Sequence, residues 1–121
     1  MPNLVYVMIG GAVGAGLRFE TGRLAARQLG SGFPWGTLAV NLAGSLLIGL
    51  LAALLPTERP LWLLLAVGVL GGFTTFSAFS LELLAMVQRG AAGTAFLYAS
   101  GSVAGGLLLA AAGYAAGRAL A

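Results

Sequence analysis

The sequence predicts an all-α membrane protein: four transmembrane helices, the third broken mid-membrane, assembling as an antiparallel dual-topology homodimer. Three observations carry this reading. First, 60% of the 121 residues are hydrophobic and only 7% are charged, with a mean hydropathy of +1.00. Soluble domains carry roughly 25% charged residues, so this chain lacks the polar skin that a soluble enzyme or a nucleic-acid-binding domain needs. Second, four long apolar runs are separated by short turn-rich connections. Third, the arginines are almost evenly divided between the two sides of the bundle those runs define.

A membrane-spanning helix needs about 20 mostly apolar residues. The first run covers 4–26 and ends in a polar third. The second, 34–55, is the cleanest and is about 33 Å long at the α-helical rise. The third covers 60–88 with a break expected at 71–75, and the fourth covers 92–118. The whole chain reads as one four-helix domain, multi-pass in the inner (plasma) membrane, and no removable leader is expected at its start. The connections 30–34, 56–60 and 88–90 contain Gly, Pro and Ser. Such short loops imply antiparallel neighbours in an up-down bundle, and Pro34 and Pro60 stand where helices begin.

Lysine and arginine near helix ends fix orientation in a membrane. Arg59 and Arg118 fall on one side; Arg27 and Arg89, with Arg23 nearby, fall on the other. So small a bias predicts insertion in both directions, and two opposed copies would form an inverted pair. Glycines at four-residue spacing (10/14, 68/72, 101/105 and 113/117) predict close helix contacts. By this reading every helix but the second has a face pressed against another.

Absences narrow the chemistry. The chain has no His, Cys, Asp or Lys, and its carboxylates are Glu20, Glu58 and Glu82. Zinc and iron–sulfur sites lack their ligands, and triad, thiol and Schiff-base catalysis lack their bases or nucleophiles. The chain is not expected to be an enzyme or to bind nucleic acid. Its calculated pI near 10.2 comes from scattered arginines rather than a basic patch.

Polar groups inside a bilayer are costly and point to function. Thr37, Asn41 and Ser45 are four apart and form one stripe on the second helix. Tyr98 and Ser102 do the same on the fourth. Arg18 lies about 14 residues into the first helix, deep enough to need a partner or water, and Glu20 and Arg23 are spaced to pair. In the third run, Gly71-Gly72 followed by Thr74-Thr75 is a poor helix interior. A break there frees backbone carbonyls, which suit a cation, and N–H groups, which suit an anion. Beyond it Phe76, Phe79 and Glu82 follow at steps of three, interleaved with Thr75 and Ser77. Ring edges carry partial positive charge and would line a path for a small anion. The residues by themselves thus indicate a small-ion pathway in a dimer.

Three stretches together resemble the Fluc (CrcB-type) fluoride channels of microbes: Gly10-Gly11-Ala12-Val13-Gly14-Ala15-Gly16-Leu17-Arg18, Gly36-Thr37-Leu38-Ala39-Val40-Asn41-Leu42-Ala43-Gly44-Ser45, and Gly71-Gly72-Phe73-Thr74-Thr75-Phe76-Ser77-Ala78-Phe79. The third is the most specific. Ala78 departs from it, since members often carry Thr there, and the fourth helix matches at Tyr98 and Ser102. The resemblance implies a dual-topology dimer with two separate fluoride pores and passive export of fluoride. It implies an aromatic box of Phe76 and Phe79, and hydrogen bonds to fluoride from Asn41, Ser102 and Tyr98. Thr37, Thr75, Ser77 and Glu82 are assigned to the same pore and Arg18 to its vestibule. It further implies a structural sodium ion, not transported, held at the dimer interface by the backbone carbonyls of Gly71 and Thr74. The rival readings are a proton-coupled small multidrug exporter and a non-conducting membrane assembly subunit.

Overall fold

The computed structural model describes residues 2–121, and every regular element among them is helical. Helix α1 spans Pro2–Leu29 and α2 spans Trp35–Leu54. A third helical run, α3, covers 60–73 in three joined pieces: Pro60–Trp62, the π-helical Leu63–Leu70 and Gly71–Phe73. After two extended residues, α4 spans Phe76–Gln88, and α5 spans Ala92–Leu120.

Local chemistry sets the boundaries. Gly30, at φ 81°, ends α1 in the left-handed region, and its N–H donates to the Ala26 carbonyl at 2.9 Å. Gly90, at φ 82°, ends α4 with both bonds of a Schellman motif: Gly90 N–H to Val87 at 3.1 Å and Ala91 N–H to Met86 at 2.8 Å. Only glycine takes this conformation without a Cβ penalty. Pro34 accepts the first bond of α2 through its carbonyl, from Leu38 at 3.1 Å, and Pro60 opens α3, where its missing N–H costs nothing.

Three stretches are long and apolar enough to cross a membrane: Trp35–Leu54, Pro60–Gln88 and Ala92–Leu120. With its 28 residues α1 is long enough, but its glycines, Arg18 and Glu20 dilute the apolar run. The break falls later than Gly71-Gly72. Gly71 keeps helical angles (φ −63°, ψ −38°), and the chain becomes extended at Thr74 (φ −89°, ψ 159°) and Thr75 (φ −151°, ψ 125°). The β-branched threonines, which favour extended backbone, make the break. The π-helical turns immediately before it were not expected; such segments are rare and concentrate at functional sites.

The helices pack in two pairs, α1 with α3 and α2 with α5, and α1 against α2 joins them. Glycine sets both pair contacts. A β-carbon at Gly14 would collide with the Val69 carbonyl, and one at Gly113 with the Leu46 carbonyl. The expectation that α2 lacks such a contact is wrong. Gly36, Gly44 and Gly49 are all buried, and Gly49 lies against the Ala110 carbonyl. Their spacings of eight and five put them off the four-residue pattern, yet still on helix faces that meet neighbours. Gly101, by contrast, has open space where a β-carbon would stand. Val40, Ala66, Leu70, Phe79, Met86, Ala95 and Tyr98 are the buried hydrophobic residues, and Phe79, Met86, Ala95 and Tyr98 form one cluster where α4 meets α5.

This packing predicts a contrast between two glycines. A β-carbon at Gly72 would lie 2.5 Å from the Gly11 carbonyl oxygen and 3.0 Å from the Ala15 nitrogen, whereas Gly93 has nothing within 4 Å. Gly72→Ala is expected to destabilise by about 1–3 kcal/mol through overpacking, while Gly93→Ala is neutral or stabilising. Thermal unfolding in detergent would show the difference, and equal melting temperatures would contradict the packing described.

Candidate functional site

The break sits at the centre of the polar groups. Leu70's carbonyl accepts from both the Thr74 N–H at 3.0 Å and the Thr74 hydroxyl at 2.9 Å. Asn41, from α2, then pairs with Thr75 as a neighbouring strand would. Thr75 N–H donates to Asn41 Oδ1 at 2.8 Å, and Asn41 Nδ2 donates to the Thr75 carbonyl at 3.0 Å. One amide side chain thereby satisfies a donor and an acceptor that lipid would leave bare. Thr75 Oγ1 caps α4 by accepting from Ala78 N–H at 3.2 Å, and Ser77 Oγ lies 3.3 Å from the same hydroxyl.

Arg18 reaches the break from α1. Its Nε donates to the Gly72 carbonyl at 3.0 Å, so a cation sits on an acceptor freed where α3 stops, as a helix C-terminus favours. The carbonyls of Gly71 and Thr74 accept none of the hydrogen bonds found at the break. Both residues line a cavity of about 350 Å³ shared with Asn41, Ser45 and Phe76. Farther along α1, Arg23 pairs with Glu20 at 2.7 Å, an exposed contact of little weight.

A second polar cluster lies beyond the break. Glu82 is half-buried and its two oxygens are divided between two hydroxyls: Thr37 donates to Oε2 at 2.6 Å and Tyr98 to Oε1 at 2.7 Å. No arginine pairs with it among the described residues. Thr37 and Glu82 line a cavity of about 300 Å³ between the α1–α2 loop and the end of α4, with Arg89 also in its wall. Arg89 is seven residues from Glu82 and on the same helical face, a spacing that could have been read from the sequence.

The two aromatic residues of α4 stand differently. Phe79 is buried, whereas Phe76 is 79% exposed; their rings are 5.9 Å apart and tilted. Phe79 meets Tyr98 edge-on at 5.0 Å, and Tyr98 meets Phe33 edge-on at 5.1 Å. One turn from Tyr98, the Ser102 hydroxyl is buried and has no hydrogen-bond partner. It lines a smaller cavity, about 180 Å³, with Leu38 and Leu97. Phe33 went unnoticed in the sequence, where 30–34 reads only as a turn.

Chemically, the arrangement offers hydroxyls, an amide, backbone groups and ring edges, with one carboxylate, Glu82, and two guanidinium groups, Arg18 at the break and Arg89 in the wall of the Glu82 cavity. Among the described residues, no group of three His, Cys, Asp or Glu side chains is placed to hold a metal. A cation at the break would have to rely on backbone oxygens.

The chain is similar in sequence to known proteins. Residues 5–114 match the family model described as CrcB-like protein, Camphor Resistance (CrcB). A protein of Novosphingobium aromaticivorans named fluoride-specific ion channel FluC is 55% identical, covering 88% of this chain and 89% of its own. Proteins of the same name from Thermus thermophilus and Rhizobium johnstonii are 52% and 46% identical, covering 99% and 100% of this chain and 98% and 100% of their own.

The Asn41 pairing yields a stability prediction. Asn41→Ala leaves the Thr75 N–H and carbonyl without partners, at a cost of about 1–3 kcal/mol. The melting temperature in detergent should fall accordingly; a wild-type value would mean that the break is held by other contacts.

Proposed function

The chain belongs to the CrcB-like family, and on that premise we propose that it is a fluoride channel, which lowers cytoplasmic fluoride by passive export through two pores in a dual-topology dimer. It is a multi-pass membrane protein and not an enzyme. The observation that carries the reading is the set of uncharged donors that α2 and α5 supply near Glu82: the hydroxyls of Thr37 and Tyr98 and, one turn on, the unpartnered hydroxyl of Ser102.

Fluoride is small and strongly hydrated, so a pore must replace its water with several donors. A full cation in the lumen would hold the ion too long. Hydroxyls, an amide and ring edges bind more weakly, and conduction requires binding that is strong enough to enter and weak enough to leave. The hydroxyls of Thr37 and Tyr98 each have one proton, and both are directed to Glu82. A fluoride at this level competes with the carboxylate for those donors. Ser102 Oγ has its proton uncommitted, and the Asn41 amide keeps a second N–H beyond the one it gives to Thr75. In this reading the ring edges of Phe76 and Phe79 add further weak attraction, with Thr75 and Ser77 beside them.

Several features support the second, oppositely inserted copy. The arginines are balanced between the two sides. The chain exposes 7266 Å², whereas a compact monomer of its mass exposes about 6,000 Å². Phe76 stands out from the protomer beside the buried Phe79, where another copy would complete the aromatic lining. In this reading α1 is the fourth span, Arg18 lies in the vestibule, and the membrane is the inner (plasma) membrane.

The same interface suits a structural sodium ion. Hard cations take oxygen ligands, and the Gly71 and Thr74 carbonyls of each copy would supply them. The ion would offset the partial charge of acceptors at the break and tie the copies together, without crossing the membrane itself.

Two measurements test this. Purified protein in liposomes should release trapped fluoride to a fluoride electrode, and Phe76→Ile should cut that release at least tenfold while the dimer persists on gel filtration. Undiminished release would remove the ring from the pore. Replacing sodium with a bulky organic cation on both sides should likewise lower the rate, and indifference would argue against the ion.

A further inference from the structure

We propose that Phe33 is a specificity-determining residue: its ring is the partition between the cavity at Glu82 and the cavity beside Ser102, and it sets the size of ion that crosses. The proposal deepens the channel reading and rests on it.

Two cavities described above share one lining residue, Phe33. The larger, about 300 Å³, reaches Thr37 and Glu82, and Phe33 is part of its wall. The smaller, about 180 Å³ and almost wholly apolar, is lined by Ser102, whose hydroxyl is buried and unpartnered behind its wall, and by Phe33. Tyr98 ties the levels together, because it lines the smaller cavity while its hydroxyl donates to Glu82 in the larger. An ion moving between the Glu82 level and Ser102 therefore passes the Phe33 ring.

The ring is held, which is what a size filter requires. Tyr98 meets it edge-on at 5.1 Å with planes 73° apart, and Trp35 lies at 4.6 Å and 50°. It also packs against the buried cluster of Phe79, Met86, Ala95 and Tyr98. Its backbone is constrained from both sides. Left-handed Gly30 ends α1 three residues earlier, and Pro34 restricts the residue before it to extended conformations. Phe33 thus combines a flat apolar face with little freedom to swing aside. Its edge resembles those of Phe76 and Phe79 in charge, so it admits a small anion while its bulk narrows the way for a larger halide.

The test compares wild type, Phe33→Ala, Phe33→Leu and Phe33→Trp in liposomes loaded with either fluoride or chloride. Phe33→Ala should raise chloride release at least tenfold and leave fluoride release equal to or above wild type. Phe33→Trp should keep chloride excluded and slow fluoride. Gel filtration identifies any variant that fails to assemble, and if Phe33→Ala does, Phe33→Leu is held to the same criterion. Wild-type chloride exclusion in the truncated variant overturns the partition, as does loss of fluoride release in an assembled one. A wild-type protein that passes no fluoride overturns the channel reading as well, so the two failures are told apart.

Discussion

Backbone that leaves helical geometry inside a hydrocarbon layer must find its hydrogen-bond partners within the protein. The rest of this structure is arranged around that constraint at Thr74 and Thr75. Asn41 answers both polar groups of Thr75 at once, Arg18 answers the Gly72 carbonyl, and the Thr75 hydroxyl answers the start of α4. Two helices, α1 and α2, thereby reach the break, and α4 begins at it. The contacts from Asn41 and Arg18 each require a neighbouring helix to lie close, so the break and the bundle depend on one another.

The glycines make that closeness attainable. In lipid there is little hydrophobic drive between helices, so association rests on tight packing. Gly10, Gly14, Gly68 and Gly72 let α1 and α3 approach until backbone meets backbone, and this brings Arg18 within reach of the Gly72 carbonyl. On the other side, Gly49, Gly113 and Gly117 seat α5 on α2. That contact holds Tyr98 and Ser102 alongside Thr37 and Asn41. Packing and chemistry are therefore linked: the small residues are not ion-binding groups themselves, but they decide which polar groups share a space.

The polar groups divide into two kinds. Asn41 and Thr75 are largely occupied in holding the break, and Arg18 gives it one of its five N–H donors. Thr37, Tyr98, Glu82 and Ser102 form a second set along α2, α4 and α5, with donors that a passing anion can compete for. The aromatic series from Phe76 through Phe79 and Tyr98 to Phe33 runs beside both sets. The proposed route would draw on many weak attractions from these groups rather than on one strong one.

Much of this was legible in the chain by itself. Composition alone determined that the protein belongs in a membrane, because six arginines and three glutamates cannot cover a soluble surface. Four-residue spacing put Thr37 and Asn41 on one face, and Gly, Thr and Phe in sequence marked the broken helix and its family. Local pattern carries such information because helical periodicity and backbone preference act over a few residues. What only the tertiary structure decided are the pairings between distant residues: Asn41 with Thr75, Arg18 with Gly72, Glu82 between Thr37 and Tyr98, and Phe33 against Tyr98. Those depend on how far each helix slides and turns on its neighbour, which is set by glycine contacts spread over the whole bundle. The same dependence explains why, within the 71–75 stretch, the chain leaves the helix at the threonines: with Gly11 and Ala15 packed against it, Gly72 serves close approach rather than a turn.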